Sequence, residues 1–468
     1  MRLTVADIID ATGGDLLRGN AKDVLSGISI DSRSISKGEL FVALSGENFN
    51  GHDFIGAAVD GGAKAILVER GSYKEDADVN LLAVDDTLKA LGDLASFIRA
   101  KITVPVIAVS GSSGKTTTKE MIGRILEASR RVLKTEGNKN NLIGLPLTLF
   151  RAYGKEEAII LELGISIIGE MERLTEIAAP TVAVITNIGR SHMEGLGGQE
   201  KIAREKFKLF NAESIVTKVV NIDDEWSGRL GVTDATGKVI TFGKDKAADV
   251  VIKEWSSKDE GICVEYEVEG ESVTVGFASP LVANIYNGAA AIGAALAVGV
   301  SPKAAASALD GFTHVGARMK VTVMDGVTIM DDTYNANPDS MEAALITLME
   351  GRNKISSRAK TIAVLGEMLE LGTESKVMHR ALGKLCGNLG VDIVFAVGNE
   401  ADVLREGAIS VRTGSPDVVV CKDNSAAIEG LKHLDLSDTT VLVKGSRGAK
   451  TEEVVEGLKE YLISKGVN

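Results

Sequence analysis

"VIAVSGSSGKTTTKEM", residues 106–121, is the stretch whose reading decides the fold. An apolar run ends at Ser110 and Gly111, and Gly114-Lys115-Thr116-Thr117 follows at once. The order is strand, glycine-bearing loop, helix start. The general phosphate-loop pattern carries a glycine where this chain has Val109, so the spacing is a variant. The physics survives the change. Gly111, Ser112, Ser113 and Gly114 let backbone N–H groups approach phosphate oxygens, and the helix N-terminus adds positive potential. Lys115 is placed to bridge the outer phosphates, and the hydroxyl of Thr116 or Thr117 to ligate Mg²⁺.

Working outward, the same alternation repeats. "EEAIILELG" (156–164) and "TVAVITNIG" (181–189) are further buried-type strands with helix-like segments between them. Residues 85–312 therefore read as a doubly wound parallel sheet. Around 247–278 the pattern becomes "DVVIKEWSSKDEGICVEYEVEGESVTVGFA", an alternating stretch that predicts an antiparallel β-meander. The Ala-rich "NGAAAIGAALAVG" after it predicts a closely packed helix. From 313 to 468, "VTIMDD", "KTIAVLGE", "DIVFAVGN" and "TTVLVKGS" predict a second, Rossmann-like sheet. Residues 1–84 mix short apolar runs with turn-rich loops and read as a small α/β unit. "DTLKALGDLASFIRAK" (86–101) has helical spacing and predicts a connector helix.

Bulk properties bound the function. A chain of 468 residues exceeds one ordinary core, and 51 glycines against 7 prolines suit many tight strand–helix turns. The net charge of −13 argues against wholesale nucleic-acid binding, so a phosphate substrate needs local cationic pockets. No apolar run is long enough to span a membrane. Cys263, Cys386 and Cys421 form neither a disulfide framework nor a zinc pattern, which suits a reducing cytoplasm.

Several residues in these joints carry chemistry. Glu162 closes a run otherwise fit for burial, at a strand's carboxyl end, where it can help hold Mg²⁺. His192 in "TNIGRSHMEGLG" follows another buried strand and could ligate a metal or orient a phosphate; an incidental loop histidine is the alternative. In "QEKIAREKFKLF" (199–210), helical spacing puts Ile202, Lys206, Leu209 and Phe210 on one face. An amine on that stripe is costly to bury as a cation, and its neutral form can take up CO₂ as a carbamate. Snorkelling to solvent is the alternative. At Asp331-Asp332-Thr333-Tyr334-Asn335-Ala336-Asn337-Pro338 a strand ends. Asn337 suits an N-cap with Pro338 at the first helical position, and Asp332 could grip a ribose.

With these residues in order, the sequence resembles the Mur ligases, the ATP-dependent amide-forming enzymes of peptidoglycan synthesis. The resemblance covers essentially the whole chain. It implies three domains: an α/β domain for the UDP-sugar (1–84), an ATPase core (85–312) and a Rossmann-like carboxyl-terminal domain (313–468). It implies ATP and two Mg²⁺ ions as cofactors, with Thr116, Glu162, His192 and a carbamylated Lys206 as metal ligands. It further implies Lys115, Glu162, His192 and Lys206 as catalytic residues. Asn284 and Asn287 of "ANIYN" and Arg318 would contact the nucleotide, with Asp332 on its ribose. The sequence departs from many relatives at Ala283, where they carry histidine.

Within the family, "MDDTYNANPDSM", "AVLGEMLELGTESKVMHRALG", "VLVKGSRGAK" and "GNKNNLIGLPLTL" are similar to the branch that adds D-alanyl-D-alanine to UDP-N-acetylmuramoyl-tripeptide. "DSRSISKGELFVALSGENFNGHDF" (31–54) is shared with the branch adding the third amino acid, which is the nearest alternative. The resemblance places Ser32, Arg33, Gly51, His52, Asn138, Asn140 and Asn141 with the UDP substrate. Tyr334, Asn335, Asn337, Lys444 and Arg447 become acceptor or active-site candidates. A cytoplasmic monomer that binds neither nucleic acid nor membrane is expected. A nucleotide-gated switch, the reading from another class, would leave Lys206, Asp332 and the carboxyl-terminal motifs without a task.

Overall fold

A computed structural model describes residues 3–46, 49–72, 78–152, 154–191, 193–230, 237–258, 261–314, 316–355, 360–411 and 414–466. Three large sheets follow one another along the chain, each with helices on both faces, beside two small two-stranded pairs, Leu3–Thr4 with Val24–Leu25 and Ser45–Gly46 with Phe49–Asn50. The first has five strands in the order Asp15–Arg18, Asn80–Val84, Ala65–Glu69, Leu40–Val42, Ile28–Ser29, with only the first antiparallel to its neighbour. Its two faces are closed by separate apolar clusters, one around Val42, Leu67 and Leu91, the other around Phe41, Ile55 and Ile66.

The connector helix Thr87–Arg99 starts on Asp86, whose carboxylate accepts from the Lys89 amide. Ala90, Leu91, Leu94 and Ile98 enter the amino-terminal core, and Ala95 enters the core of the next sheet. One helix thus belongs to two domains. Arg99 fixes its end by donating to the carbonyls of Ile102, Ala178 and Ala179.

The central sheet has nine strands, ordered Val132–Lys134, Ala158–Glu162, Val106–Ser110, Val182–Ile185, Thr217–Asn221, Lys238–Gly243, Val250–Lys258, Gly261–Val268, Glu271–Phe277. The first seven are parallel, and the last two continue the same sheet as the expected antiparallel meander. Glu269 and Gly270, both at positive φ (52° and 79°), make its tight turn. The parallel strands read as unbroken apolar runs because both faces are buried. In Val106–Ser110, Ile107 and Val109 join one cluster while Val106 and Ala108 join the other. The helix Asn284–Ala297 is nearly all buried, and its small residues let it lie close. A Cβ at Gly288 would sit 2.6 Å from the Tyr266 hydroxyl.

The carboxyl-terminal sheet runs Lys320–Met324, Val327–Asp332, Thr439–Lys444, Lys360–Leu365, Ile393–Val397, Asp417–Cys421, parallel except for the first strand. That antiparallel edge strand and Asp417–Cys421 at the opposite edge are additions to the four expected. The antiparallel strand is joined through Asp325 and Gly326 at φ 48° and 75°, the two-residue turn an Asp-Gly pair favours. The three cysteines are free, as expected.

Candidate active site

The phosphate loop leaves the central sheet beside the point where strand order reverses, since Val106–Ser110 lies between Ala158–Glu162 and Val182–Ile185. Two of its glycines are compulsory. Gly111 sits at φ 143°, and a Cβ there would fall 1.9 Å from Thr186 Oγ1; Gly114 sits at φ 78°, and a Cβ would fall 2.3 Å from Asn287 Oδ1. The helix Lys115–Glu127 starts directly after. Lys115 Nζ folds back to donate to the Gly111 carbonyl at 2.8 Å. Burial pushes this amine below the ordinary lysine value, Glu162 opposes that shift and Arg318 reinforces it.

Glu162 stands one strand away. Its Oε1 accepts from Thr116 Oγ1 at 3.1 Å and from Asn140 Nδ2 at 2.8 Å, while its Oε2 is buried with no hydrogen-bond partner. Lys119, absent from the sequence reading, is fully buried behind it. Its Nζ donates to the Thr135 carbonyl at 2.7 Å and pairs with Glu120 at 3.0 Å and Glu162 at 3.7 Å. The signal existed, because Lys119 shares a helical stripe with Ile122 and Leu126.

Lys206 is fully buried on the helix Gln199–Phe207, as its position on the apolar stripe predicts. Leu209 and Phe210 are buried too, but in a following 3₁₀ turn rather than on the α-helix itself. Lys206 Nζ has no hydrogen-bond partner. Burial first, and the Lys115 charge second, hold its pKa well below the ordinary lysine value. The adjacent Glu205 is already engaged: it accepts from the Gly169 amide at 2.7 Å and pairs with Lys208 at 2.9 Å. His192 lies outside the described residues. The segment before it is fixed, with Ser112 Oγ donating to the Gly189 carbonyl and the Ile188 amide donating to Asp224.

The carboxyl-terminal domain docks onto this site. Arg318 donates to Thr116 Oγ1 at 3.0 Å and lies 3.7 Å over the Tyr334 ring. Asn337 caps the helix Pro338–Ile355, accepting from the Ser340 amide, and its Nδ2 donates to the Ser112 carbonyl at 3.3 Å. Asp339 receives the Arg190 amide and guanidinium, a pair that sequence reading missed. Asp332 is engaged at both oxygens, by Lys444 Nζ at 2.6 Å and the Met319 amide at 3.1 Å. Lys444 also donates to the Asn335 carbonyl, and the Arg447 amide donates to Asn335 Oδ1. The nucleotide candidates Asn284 and Asn287 are buried. Thr118 Oγ1 donates to Asn287, whereas both amide atoms of Asn284 are unpartnered.

The UDP-substrate candidates divide between two places. Asn140 belongs to the Glu162 cluster; Asn141 caps the turn at Ile143 and Gly144, and the Asn138 carbonyl accepts from the Asn140 amide. In the amino-terminal domain, Ser32 and Arg33 sit on a turn. The Arg33 side chain is 88% exposed and grips Asp31, whose carboxyl it holds down at about 2. Gly51 is needed where it stands, since a Cβ would press within 2.6 Å of the Leu44 carbonyl oxygen. His52 Nε2 accepts from the Glu69 amide and Nδ1 meets Asn50 Oδ1 at 2.8 Å, so both ring nitrogens serve the local fold.

Comparison with known proteins agrees with this architecture. Three family models match in succession: "Mur ligase family, catalytic domain" over residues 24–99, "Mur ligase middle domain" over 109–295, and "Mur ligase, glutamate ligase domain" over 317–447. The chain is 35% identical to the UDP-N-acetylmuramoyl-tripeptide--D-alanyl-D-alanine ligase of Bacillus subtilis, across 99% of this chain and 100% of that one. A crystal structure of MurF from Acinetobacter baumannii superposes with a TM-score of 0.90 at 30% identity, covering 98% of this chain and 99% of the other. The MurF ligase of Thermotoga maritima in complex with ADP follows at 0.83 and 30% identity, covering 94% of this chain and 98% of the other. A nucleotide loop at the switch point of the central sheet, three domains in this order and end-to-end likeness to these ligases lead to one conclusion: the chain belongs to the Mur ligase family.

Proposed function

We propose that this chain is an ATP-dependent amide ligase that joins D-alanyl-D-alanine to UDP-N-acetylmuramoyl-tripeptide, giving the UDP-linked pentapeptide, ADP and phosphate. The observation that carries this reading is its extent: likeness to enzymes of that name runs the whole length, acceptor-side domain included. The tripeptide carboxylate attacks the γ-phosphate of ATP and forms an acyl phosphate. The dipeptide amine then attacks the acyl carbon, and a tetrahedral intermediate collapses to amide and phosphate. A carboxylate alone is a poor acyl donor because its leaving group would be oxide.

Two anions must meet, so the protein's part is charge neutralisation and positioning. The start of helix Lys115–Glu127 and the Lys115 amine would serve the phosphates, the Ser112 and Ser113 amides being held by Asn187, with Arg318 reaching Thr116 from the other domain. Asn284 would offer an unpartnered buried amide to the nucleotide, and Asn287 braces the helix after the loop by accepting from Thr118. Asp332 would reach the ribose only after sharing or releasing its bonds to Lys444 and Met319. Asn140 orients Glu162.

The residues fit the implied metal sites: Glu162 Oε2, 3.7 Å from Lys119 Nζ, and Lys206 Nζ are buried without hydrogen-bond partners. Thr116 and Glu162 would hold one Mg²⁺, and His192 with carbamylated Lys206 a second. The carbamate reading is favoured by chemistry, since a depressed amine pKa supplies the neutral nucleophile CO₂ requires. Bound there, the ions would supply positive charge to the phosphoryl oxygens.

The test is phosphate release from ATP with UDP-N-acetylmuramoyl-tripeptide, with and without D-alanyl-D-alanine, plus product mass. Release that needs both substrates, with a pentapeptide mass, is the expected result. Release with UDP-dipeptide and a free amino acid instead would move the chain to the neighbouring branch.

A further inference from the structure

We propose that Asp339 is a positioning residue that couples docking of the carboxyl-terminal domain to the setting of segment Asn187–Ser191 against the phosphate loop. The proposal rests on the ligase reading above. Asp339 occupies the first turn of the 18-residue helix Pro338–Ile355, yet its carboxylate serves a different domain. Oδ2 accepts from the Arg190 backbone amide at 2.7 Å, and Oδ1 accepts from Arg190 Nε at 3.2 Å and its terminal nitrogen at 3.1 Å. A backbone amide held this way fixes the course of the main chain, which an exposed ion pair between side chains would not do.

The fit leaves no slack. A Cβ at Gly189 would lie 1.9 Å from Asp339 Oδ2 and 3.3 Å from Ser112 Cβ. Position 189 therefore needs glycine, which lets the carboxylate and the phosphate loop close on the segment from two sides. From the loop side, Ser112 Oγ donates to the Gly189 carbonyl, the Ser112 amide to the Asn187 carbonyl and the Ser113 amide to Asn187 Oδ1. Two residues before Asp339, Asn337 donates to the Ser112 carbonyl. One helix start thus touches both the phosphate loop and the segment beside it. These bonds exist only with the domains docked, so each half of the site is completed by the other.

The experiment compares wild type with Asp339→Ala by three readouts. These are steady-state kinetics, ADP affinity by calorimetry, and compaction on a non-hydrolysable ATP analogue by small-angle scattering. Wild type should compact. Asp339→Ala should bind ADP, fail to compact, and lose kcat on the order of 10²-fold, the scale of a displaced catalytic geometry. Asp339→Asn, which keeps an acceptor for the Arg190 amide, should fall between. Wild-type kcat in Asp339→Ala overturns the proposal. So does a kcat loss with compaction intact, or a wild type that does not compact. If Asp339→Ala fails to fold, Gly189→Ala opposes the same joint with a methyl group and should give the same pattern. Pentapeptide formation by wild type in the same assay tests the ligase reading separately.

Discussion

Among the buried lysines of the described residues, Lys444 and Lys206 are treated oppositely by their surroundings. Lys444, at the end of a strand in the carboxyl-terminal sheet, is 2% exposed. It is fully employed, donating to Asp332 at 2.6 Å and to the Asn335 carbonyl at 2.9 Å. Lys206, on the helix Gln199–Phe207, is 0% exposed and its amine bonds to nothing. The neighbouring carboxylate that might have served it, Glu205, is spent on Gly169 and Lys208. A buried cation needs a counter-charge and hydrogen bonds to offset its desolvation. The first region supplies them and so uses lysine as a joint. The second withholds them, which lowers the amine's pKa and favours its neutral form. Burial alone does not distinguish the two lysines; the presence or absence of a partner does.

The contrast can be broken from the structural side first, where the largest effect is expected. Lys444→Met removes one member of a buried pair and leaves Asp332 with an uncompensated charge. Losses of about 3–5 kcal/mol are typical when one partner is removed. Chemical denaturation should show the midpoint falling, and a change near zero would mean that the Asp332–Lys444 pair is dispensable to the fold.

The functional side comes next. Lys206→Ala should keep the fold and lose ligase turnover on the order of 10²-fold, the upper range for disturbed metal-site residues. A short-chain carboxylate added to the assay should restore part of it by standing in for the carbamate. Wild-type turnover without rescue would sink the carbamate reading.

How much of this contrast was legible beforehand depends on distance along the chain. Lys206 could be found because its apolar stripe is local, and the parallel strands because burial on both faces makes unbroken apolar runs. Asn337 as a cap and Gly111 at the loop were equally local. Lys119 had the same kind of signal, with Glu120 beside it, but Thr135 and Glu162 arrive from distant segments. The Arg190–Asp339 joint spans 149 positions, and no periodicity encodes such a pairing. The strand Lys320–Met324 could have been read from Asp325-Gly326, a hairpin turn signal that lies in the sequence itself. His52, placed with the UDP substrate by the resemblance, has ring nitrogens bonded to Glu69 and Asn50, partners that no local pattern shows.

The smallest effect sharpens the comparison most, because its sign is unusual. Lys206→Met replaces an unpartnered amine by an apolar chain of similar length in the same pocket. Leaving a buried donor unsatisfied costs about 1–3 kcal/mol, so this variant should be more stable than wild type by that amount when both are measured without CO₂. The pH dependence identifies the cause. Burial lowers the folded-state pKa of Lys206 below its unfolded value near 10.5. Between those two values the unfolded chain binds a proton that the folded chain does not. Stability from this group therefore rises as pH is raised toward 10.5 and falls as pH drops toward the folded pKa, the reverse of a lysine that gains a partner. Urea midpoints at several alkaline pH values should show this slope in wild type and not in Lys206→Met. Equal slopes in the two proteins would mean that the amine is already satisfied in solution, and the distinction between the two lysines would then be one of degree.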